Sequence, residues 1–598
     1  MSTAMATKTR DTYHYKLLPM SIRIAELLPG KSDEPLSCLL HEFEWSNLPK
    51  YEALSYAWGD PEDKSSIIIH DKKLEITKSL QVALSHLRYE DKARLLWADA
   101  ICINQSDIPE RGAQVRQMRR IFEHAETVIL WLGPDSSNQA HLAKSSVHQI
   151  TSFLCGQLGI TVSDIAQEAE VYNKIIFKNR DKIPLPHDCG FVTDAMWNAL
   201  LWLYKHPVFK RVWIIQEMNA SRRRVVYCGS ATMSWEAIEM VAGYIILETA
   251  FSKSRGFTSA YCWWASILGS RFHQSDEWLQ MLYLASTFEA TDPRDVIYGL
   301  RGMIQCDNGG WLLDPDYAKT TLDVYRDSVE AAFLNFGDVN ALCYVHGTEN
   351  PSWIPRWDES MVFRNPFRFG FSLPWRPGGN SMPKWRIDRQ NNTLSLGGYF
   401  AAVIESSETY AESLFGNAML EGDENKARLA RAWCDILECI ALDGETLPLD
   451  NEILLAVAVS FSFGLGEKCI PADERTLFQN FIAYLKGVLD VETYRKYISP
   501  ATTSDCADGI AAAFGKPVWD FEYPNSSFFI ATGKTGEKRI GCCIATTCPG
   551  DKVFVPYGSV YPLVLRPEGS KYRIRGYCFL YGIMQGEVRY EEAIVEII

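Results

Sequence analysis

Residues Leu95 to Gly133 read LLWADAICINQSDIPERGAQVRQMRRIFEHAETVILWLG, an apolar run, a polar loop, a helix and a second apolar run. Leu95, Leu96 and Trp97 open the first run, which gives way to the loop Asn104–Asp107. Asp107, Pro109 and Glu110 then supply a helix start: a capping side chain, a proline in the first turn, and a glutamate three residues after the cap. Val115, Met118, Ile121 and Ala125 recur every three or four residues, so one face of that helix is buried. The second run, Val128–Leu132, stops at Gly133-Pro134. Two short, wholly apolar strands joined by a helix predict a βαβ unit in a parallel sheet. Ligands bind such sheets beyond the carboxyl ends of the strands, and here that edge carries Asp99, Asn104 and Gln105.

On the amino-terminal side, Ser21–Leu28 and Leu36–Glu44 flank the turn Pro29-Gly30-Lys31 and predict a hairpin. Tyr51–Trp58 is a further apolar strand closed by Gly59-Asp60-Pro61, and Ile67–Ile69 with Leu74–Ile76 make a second hairpin. Leu80, Ala83, Leu84 and Leu87 have helical spacing. On the carboxyl side the signal weakens over Asp135–Asp194, read as a helical insertion with loops. It returns at a helix from Trp197, the segment HPVFKRVWIIQEMNAS (His206–Ser221), and a strand at Arg224–Cys228.

The parallel strands are therefore Glu52–Trp58, Leu95–Ala100, Val128–Leu132 and Arg224–Cys228. The chain accordingly divides into a flexible start at 1–20, an α/β domain with a mostly parallel sheet and flanking helices at 21–230, a mostly helical region at 231–510, and a small β-rich domain at 511–598. The last is read from short apolar runs between glycine turns, from Phe528–Thr532 to Val588–Tyr590. The proline- and tryptophan-rich stretch Pro351–Trp385 is too rich in turn formers for regular structure.

Bulk properties narrow the function. Hydrophobic residues at 47% and charged residues at 22% of 598 are those of a globular protein with room for several cores. A net charge of -14 argues against general nucleic-acid binding. The sixteen cysteines make no CxxC pair, which sets structural zinc aside. No secretory signal is seen in the polar Met1–Asp11, and the longest apolar run, Leu454–Leu465, is too short to span a bilayer. A cytoplasmic protein is expected. Neither GxSxG nor HExxH occurs, and Gly533-Lys534-Thr535 lacks the upstream glycine of a phosphate loop, Phe528 standing in its place.

What remains is polar groups near the carboxyl ends of apolar strands: Ser55–Asp60, Asp99–Gln105, Trp131–Gly133, and Glu217 ahead of the fourth strand. Asp99 follows an apolar run and needs a partner such as an arginine. Glu110 reads as a cap rather than a catalyst. Glu217 puts a charge at the end of the apolar turn Trp213–Gln216. It is either a site carboxylate, a surface helix residue, or a partner for Arg211.

Three blocks in order, YEALSYAWGD (Tyr51–Asp60), LLWADAICINQSDIPERGAQVRQM through VILWLG (Leu95–Gly133), and FKRVWIIQE with VVYCG (Phe209–Gly229), resemble the fungal heterokaryon-incompatibility (HET) domain. TDPRDVIYGLRGM (Thr291–Met303), DPDY (Asp314–Tyr317), PSWIPRW (Pro351–Trp357) and the tail Gly550–Glu587 resemble segments found downstream of that domain in many such proteins.

The resemblance implies fungal self/non-self recognition with growth arrest and cell death. It further implies a distant likeness to Toll/interleukin-1-receptor (TIR) domains, some of which cleave NAD. On that likeness Glu217 takes the place of the catalytic glutamate. Ser55, Tyr56, Trp58, Gly59, Asp60, Asp99, Asn104 and Trp131 are then the candidates for holding the nucleotide, with Trp58 or Trp131 stacking on a ring. NAD would be a substrate, and no cofactor or metal is called for. The expected partners are a second copy of the chain and a protein in allorecognition, without nucleic acid or a membrane span. The alternative is a non-enzymatic signalling module acting through self-association or partner binding. Asp135–Asp194 is longer than a compact TIR domain has at that point.

Overall fold

In the computed structural model, the Leu95–Gly133 stretch forms two strands with helices between them, and the strand formed by YEALSY lies between the two. The structure describes residues 13, 15, 21–31, 34–161, 163–164, 176, 179–221, 223–267, 275–345, 351–361, 373–410, 423–442, 446–466, 471–514, 525–588 and 590–598. The expected flexible start, 1–20, lies outside these except for Tyr13 and Tyr15, and part of Asp135–Asp194 lies outside them too.

The amino-terminal sheet has nine strands: β1 (Ser21–Leu27), β2 (Ser37–Glu44), β3 (Glu52–Tyr56), β4 (Lys64–Ile69), β5 (Lys72–Thr77), β6 (Arg94–Trp97), β7 (Thr127–Gly133), β8 (Arg224–Cys228) and β9 (Ala231–Ser234). Their order is β5-β4-β2-β1-β6-β3-β7-β8-β9. The four strands expected to be parallel are so, as the contiguous centre β6-β3-β7-β8. The sheet as a whole is mixed, which corrects the expectation of a mostly parallel one. Both hairpins are incorporated into it, with β1 antiparallel to β2 and β6, β4 antiparallel to β5, and β9 antiparallel to β8. Strand β2 alternates in burial, whereas β1 is buried at all but one position and Ala53–Tyr56 and Val128–Trp131 are buried throughout. Continuous burial means that both faces of these strands are covered.

The helices that position the edge are α1 (Lys78–Leu87), α2 (Asp99–Cys102), α3 (Ile108–Arg116), α4 (Met118–His124), α5 (Ala140–Leu158), α6 (Asp194–Tyr204) and α7 (Trp213–Ala220). Asp107 caps α3, accepting the Glu110 amide at 3.0 Å. The carboxylate of Glu110, however, does not close a capping box on Asp107. It accepts the Asn104 amide at 2.7 Å and pairs with Arg23 at 2.6 Å, a guanidinium only 1% exposed. The helical stretch breaks at Gln117, with Val115, Met118, Ile121 and Ala125 all buried as the spacing predicts.

The chain divides into two compact units, one of Met1–Gln305 with Leu313–Thr321, the other of Cys306–Leu312 with Leu322–Ile598. The first therefore reaches well past residue 230. Segment Glu289–Met303 packs along α7, where Trp213 Nε1 donates to Asp295 at 3.1 Å and the Gly302 amide donates to Gln216 Oε1 at 2.9 Å.

The second unit combines helices with a β-sheet of eight strands: β10 (Trp385–Asp388), β11 (Thr393–Tyr410), β12 (Ser526–Gly533), β13 (Lys538–Cys543), β14 (Lys552–Pro556), β15 (Leu563–Glu568), β16 (Lys571–Leu580) and β17 (Ala593–Ile597). The path β11-β12-β13-β16-β15-β14 returns on itself because β14 also pairs with β11, closing a six-stranded barrel. Closure removes exposed strand edges. The 18-residue β11 comes from the region read as mostly helical, and the β-rich part is correspondingly larger than 511–598. Gly398 permits the β11–β14 crossing, since a Cβ there would come 2.2 Å from the Val555 carbonyl oxygen. Of the expected last run, Val588–Tyr590, residues 588 and 590 lie in no strand and 589 is outside the described residues; the last strand is Ala593–Ile597. The helix over the longest apolar run, Asn451–Ser462, is largely buried, and no helix among the described residues is long and apolar enough to cross a membrane.

Candidate functional site

The carboxyl ends of β3 and β6 meet α7 around two carboxylates. Ser55, 1% exposed near the end of β3, donates its hydroxyl to Glu217 Oε2. Glu217 is 2% exposed, and its other oxygen accepts Arg211 Nη2 at 3.3 Å. Helical spacing explains why an acid is turned inward here. Ile214, Glu217 and Met218 lie three and four residues apart on one face, and that face is buried. The apolar neighbours dock the helix and carry the carboxylate in with them.

Asp99 begins α2 directly after β6. Its Oδ2 accepts the Trp58 indole N–H at 2.9 Å and its Oδ1 accepts the Ala100 amide at 2.8 Å. Tyr56 is 1% exposed, and its hydroxyl lies beside Asp99 without a hydrogen bond of ordinary geometry. Burial pushes the Asp99 and Glu217 carboxyls above the usual range, and the Arg211 guanidinium pulls both back down. Asp99 adds to the upward push on Glu217. Burial, followed by Asp99, likewise raises the Tyr56 phenol. One cation thus serves two carboxylates, and its Nη1 is buried without a hydrogen-bond partner. A carboxylate in such surroundings is held rigidly but incompletely neutralised, which suits a group that must meet developing positive charge.

The structure brings together Ser55, Tyr56, Trp58, Asp99 and Glu217 from the residues singled out in the sequence. Trp58 is 38% exposed, so its indole is anchored by Asp99 while much of the ring faces solvent. Gly59 and Asp60 continue from it as an exposed turn: Gly59 has φ +74°, and Asp60 accepts the Glu62 amide at 2.9 Å. Asn104 is occupied in its own loop, donating its amide to Glu110 and accepting the Ser106 amide at 3.2 Å. Trp131 is not a stacking platform. It is 3% exposed, with its ring 4.7 Å from that of His86 on α1. Arg211, which the sequence offered only as an ion-pair partner, is the electrostatic centre of the site. The available signal was chemical: two carboxylates taken out of water require a cation. Among the described residues no cluster of histidine, cysteine and acidic side chains is placed to hold a metal ion.

Residues 51–217 match the family described as Heterokaryon incompatibility protein (HET), a span that opens just before β3 and ends at Glu217. This part of the chain, from β3 to α7, is therefore similar to the HET domain. The chain is 25% identical over 662 aligned residues to Heterokaryon incompatibility protein 6, OR allele, of Neurospora crassa, an alignment covering 95% of this chain and 94% of that one. No solved structure matches it.

Proposed function

We propose that this protein acts in fungal heterokaryon incompatibility and that its HET domain executes the response by cleaving NAD at the nicotinamide–ribose bond. The incompatibility role is supported by the family match and by similarity to a Neurospora incompatibility protein over nearly the whole length of both chains. The chemical step is supported by one observation above the others: Glu217 is a buried carboxylate, gripped by Ser55 and Arg211, at the carboxyl edge of the parallel strands.

In the proposed reaction the N-glycosidic bond breaks with its electron pair leaving on nicotinamide, which becomes neutral, while positive charge develops on the ribose as in glycoside cleavage. Glu217 stabilises that charge and holds a ribose hydroxyl. Water then adds at the anomeric carbon and releases a proton, giving ADP-ribose. Trp58, anchored through Asp99 and half-open, is the ring on which a base stacks, and Arg211 Nη1 is the free donor for an anionic or hydroxyl group. The TIR resemblance suggests the reaction class, and the burial and hydrogen bonding of Glu217 support these residues for it.

A second reading has an observation of its own. Both oxygens of Glu217 are already engaged, as in a structural ion pair, which favours an interaction module acting through self-association. Expression of the parent and of Glu217→Ala in a compatible fungal host separates the two. Loss of growth arrest by a variant that folds and assembles as the parent does supports the enzyme. Undiminished growth arrest by that variant supports the module.

A further inference from the structure

Another stripe of the helix that carries Glu217 is held by polar contacts from a single segment. Trp213, Gln216 and Asn219 are three residues apart and so share a face of α7. Each is bound by one segment, Glu289–Met303. Trp213 Nε1 donates to Asp295 Oδ2 at 3.1 Å, Gln216 Oε1 accepts the Gly302 amide at 2.9 Å, and Asn219 Nδ2 lies 3.6 Å from Met303 Sδ. The same segment flanks Arg211 through the backbone. Val212 N donates to the Glu289 carbonyl at 3.1 Å, and Glu289 N donates to the Lys210 carbonyl at 2.6 Å.

Asp295 is itself held from the other side by the Tyr317 hydroxyl at 2.6 Å, and the Arg111 guanidinium covers the Tyr317 ring at 3.8 Å. Gly302 fits so closely that a Cβ would come within 2.5 Å of Gln216 Oε1 and 2.6 Å of Arg119 Cβ. This segment lies outside the family match, which ends at Glu217.

We propose that Glu289–Met303 is a brace that positions Arg211 and Glu217, with Asp295 and Gly302 as its positioning residues acting through Trp213 and Gln216. The two site residues lie on a helix of eight residues and the turn before it, too short to keep its own orientation in isolation. The buried face docks the helix against α4, with Glu217 reaching Ser55 of β3, and the brace fixes its rotation and its entry. Rotation decides whether Glu217 reaches Ser55 and whether Arg211 reaches Glu217. The consequence for activity rests on the reading of Glu217 given above; the coupling of the brace to the helix does not.

The test is amide hydrogen exchange on the full chain, read in residues 211–220 and in β7 as a reference, for Asp295→Ala, Asp295→Asn and Trp213→Phe. Asn keeps an oxygen for the Trp213 indole and offers its amide to the Tyr317 hydroxyl, so it should behave as the parent. Removing the carboxylate should raise exchange in 211–220 about tenfold with β7 unchanged, because hydrogen bonds to a charged group are lost from a local opening unit. Trp213→Phe should raise it in the same place by less. Unchanged exchange in 211–220 for both Asp295→Ala and Trp213→Phe overturns the brace. If Asp295→Ala loosens the whole unit, Trp213→Phe decides by the same criterion. Nicotinamide release from NAD, measured alongside, should show a lowered kcat with little change in KM for Asp295→Ala and recovery in Asp295→Asn. Absence of release by the parent overturns the NAD reading and leaves the exchange result to decide the brace.

Discussion

Replacing Arg211 by methionine keeps most of the side chain's volume and removes the cation that acts on both Asp99 and Glu217. The pair it breaks is largely out of water, with side-chain exposures of 18% for Arg211 and 3% for Glu217. Breaking a fully buried pair costs about 3–5 kcal/mol and an exposed one under about 1 kcal/mol. This site lies nearer the first, so the expected loss at pH 7.5 is about 2–4 kcal/mol. The loss should depend on pH in a definite direction. Burial already holds the Glu217 and Asp99 carboxyls above their ordinary values, and Arg211 is what opposes it. Without the arginine both rise further, so the folded variant binds protons more tightly than its unfolded chain. Its stability is then greatest at low pH and falls as pH rises above the ordinary carboxyl value, by up to about 1.4 kcal/mol per pH unit for each proton involved. The gap between parent and variant should therefore be small near pH 4.5 and widen toward pH 7.5. Urea unfolding at the two pH values, read from the transition of the first unit by exchange in β3 and β7, measures it. A gap that is the same at both, or smaller at pH 7.5, would refute the assignment of Arg211 as the shared counter-charge.

Three further outcomes are expected. Glu110→Ala strands the buried Arg23 guanidinium and the Asn104 amide, and should cost about 3 kcal/mol or more at pH 7; Arg23→Met combined with Glu110→Leu should recover most of it, as a double-mutant cycle in urea would register. Asp295 stands at about 6, raised first by burial, so the folded state holds its proton more tightly than an unfolded chain near about 3.9. Its share of stability is lost as pH rises from about 4 through 6, up to about 3 kcal/mol, and Asp295→Asn should flatten that part of the stability–pH curve. Nicotinamide release, if carried by Glu217, should rise with pH through a value above the ordinary glutamate range, because only the ionised carboxylate stabilises the ribose charge, and it should show no such rise in Glu217→Gln.

The centre of the first sheet was legible because strands buried on both faces leave unbroken apolar runs, as Ala53–Tyr56 and Val128–Trp131 do. Ser55, Asp99 and Glu217 were legible because each is a polar group at the end of such a run. Trp131 was misplaced for the same reason: an aromatic near a strand end looks the same in sequence whether it faces a ligand or His86. The capping box at Glu110 failed because a tertiary partner, Arg23, 87 residues away in the chain, outcompetes the local one. Strand β11 escaped notice since it comes after a stretch dense in proline and glycine, and apart from the short β10 its pairing partners are more than a hundred residues downstream. No local period records that pairing. The brace was visible as a motif, TDPRDVIYGLRGM, but its target was not, because the contacts from Asp295 and Gly302 reach back across more than eighty residues.

The central claim is that Glu217 acts chemically, and nicotinamide release from NAD by the purified full-length protein tests it most directly. The measurement is made beside Glu217→Gln, at low and at high protein concentration so that assembly is sampled. Release by the parent, at least under assembling conditions, and its loss in a Glu217→Gln protein with unchanged exchange in β3 and β7 is the predicted result. Equal release by both proteins, or release by neither at any concentration, would contradict it.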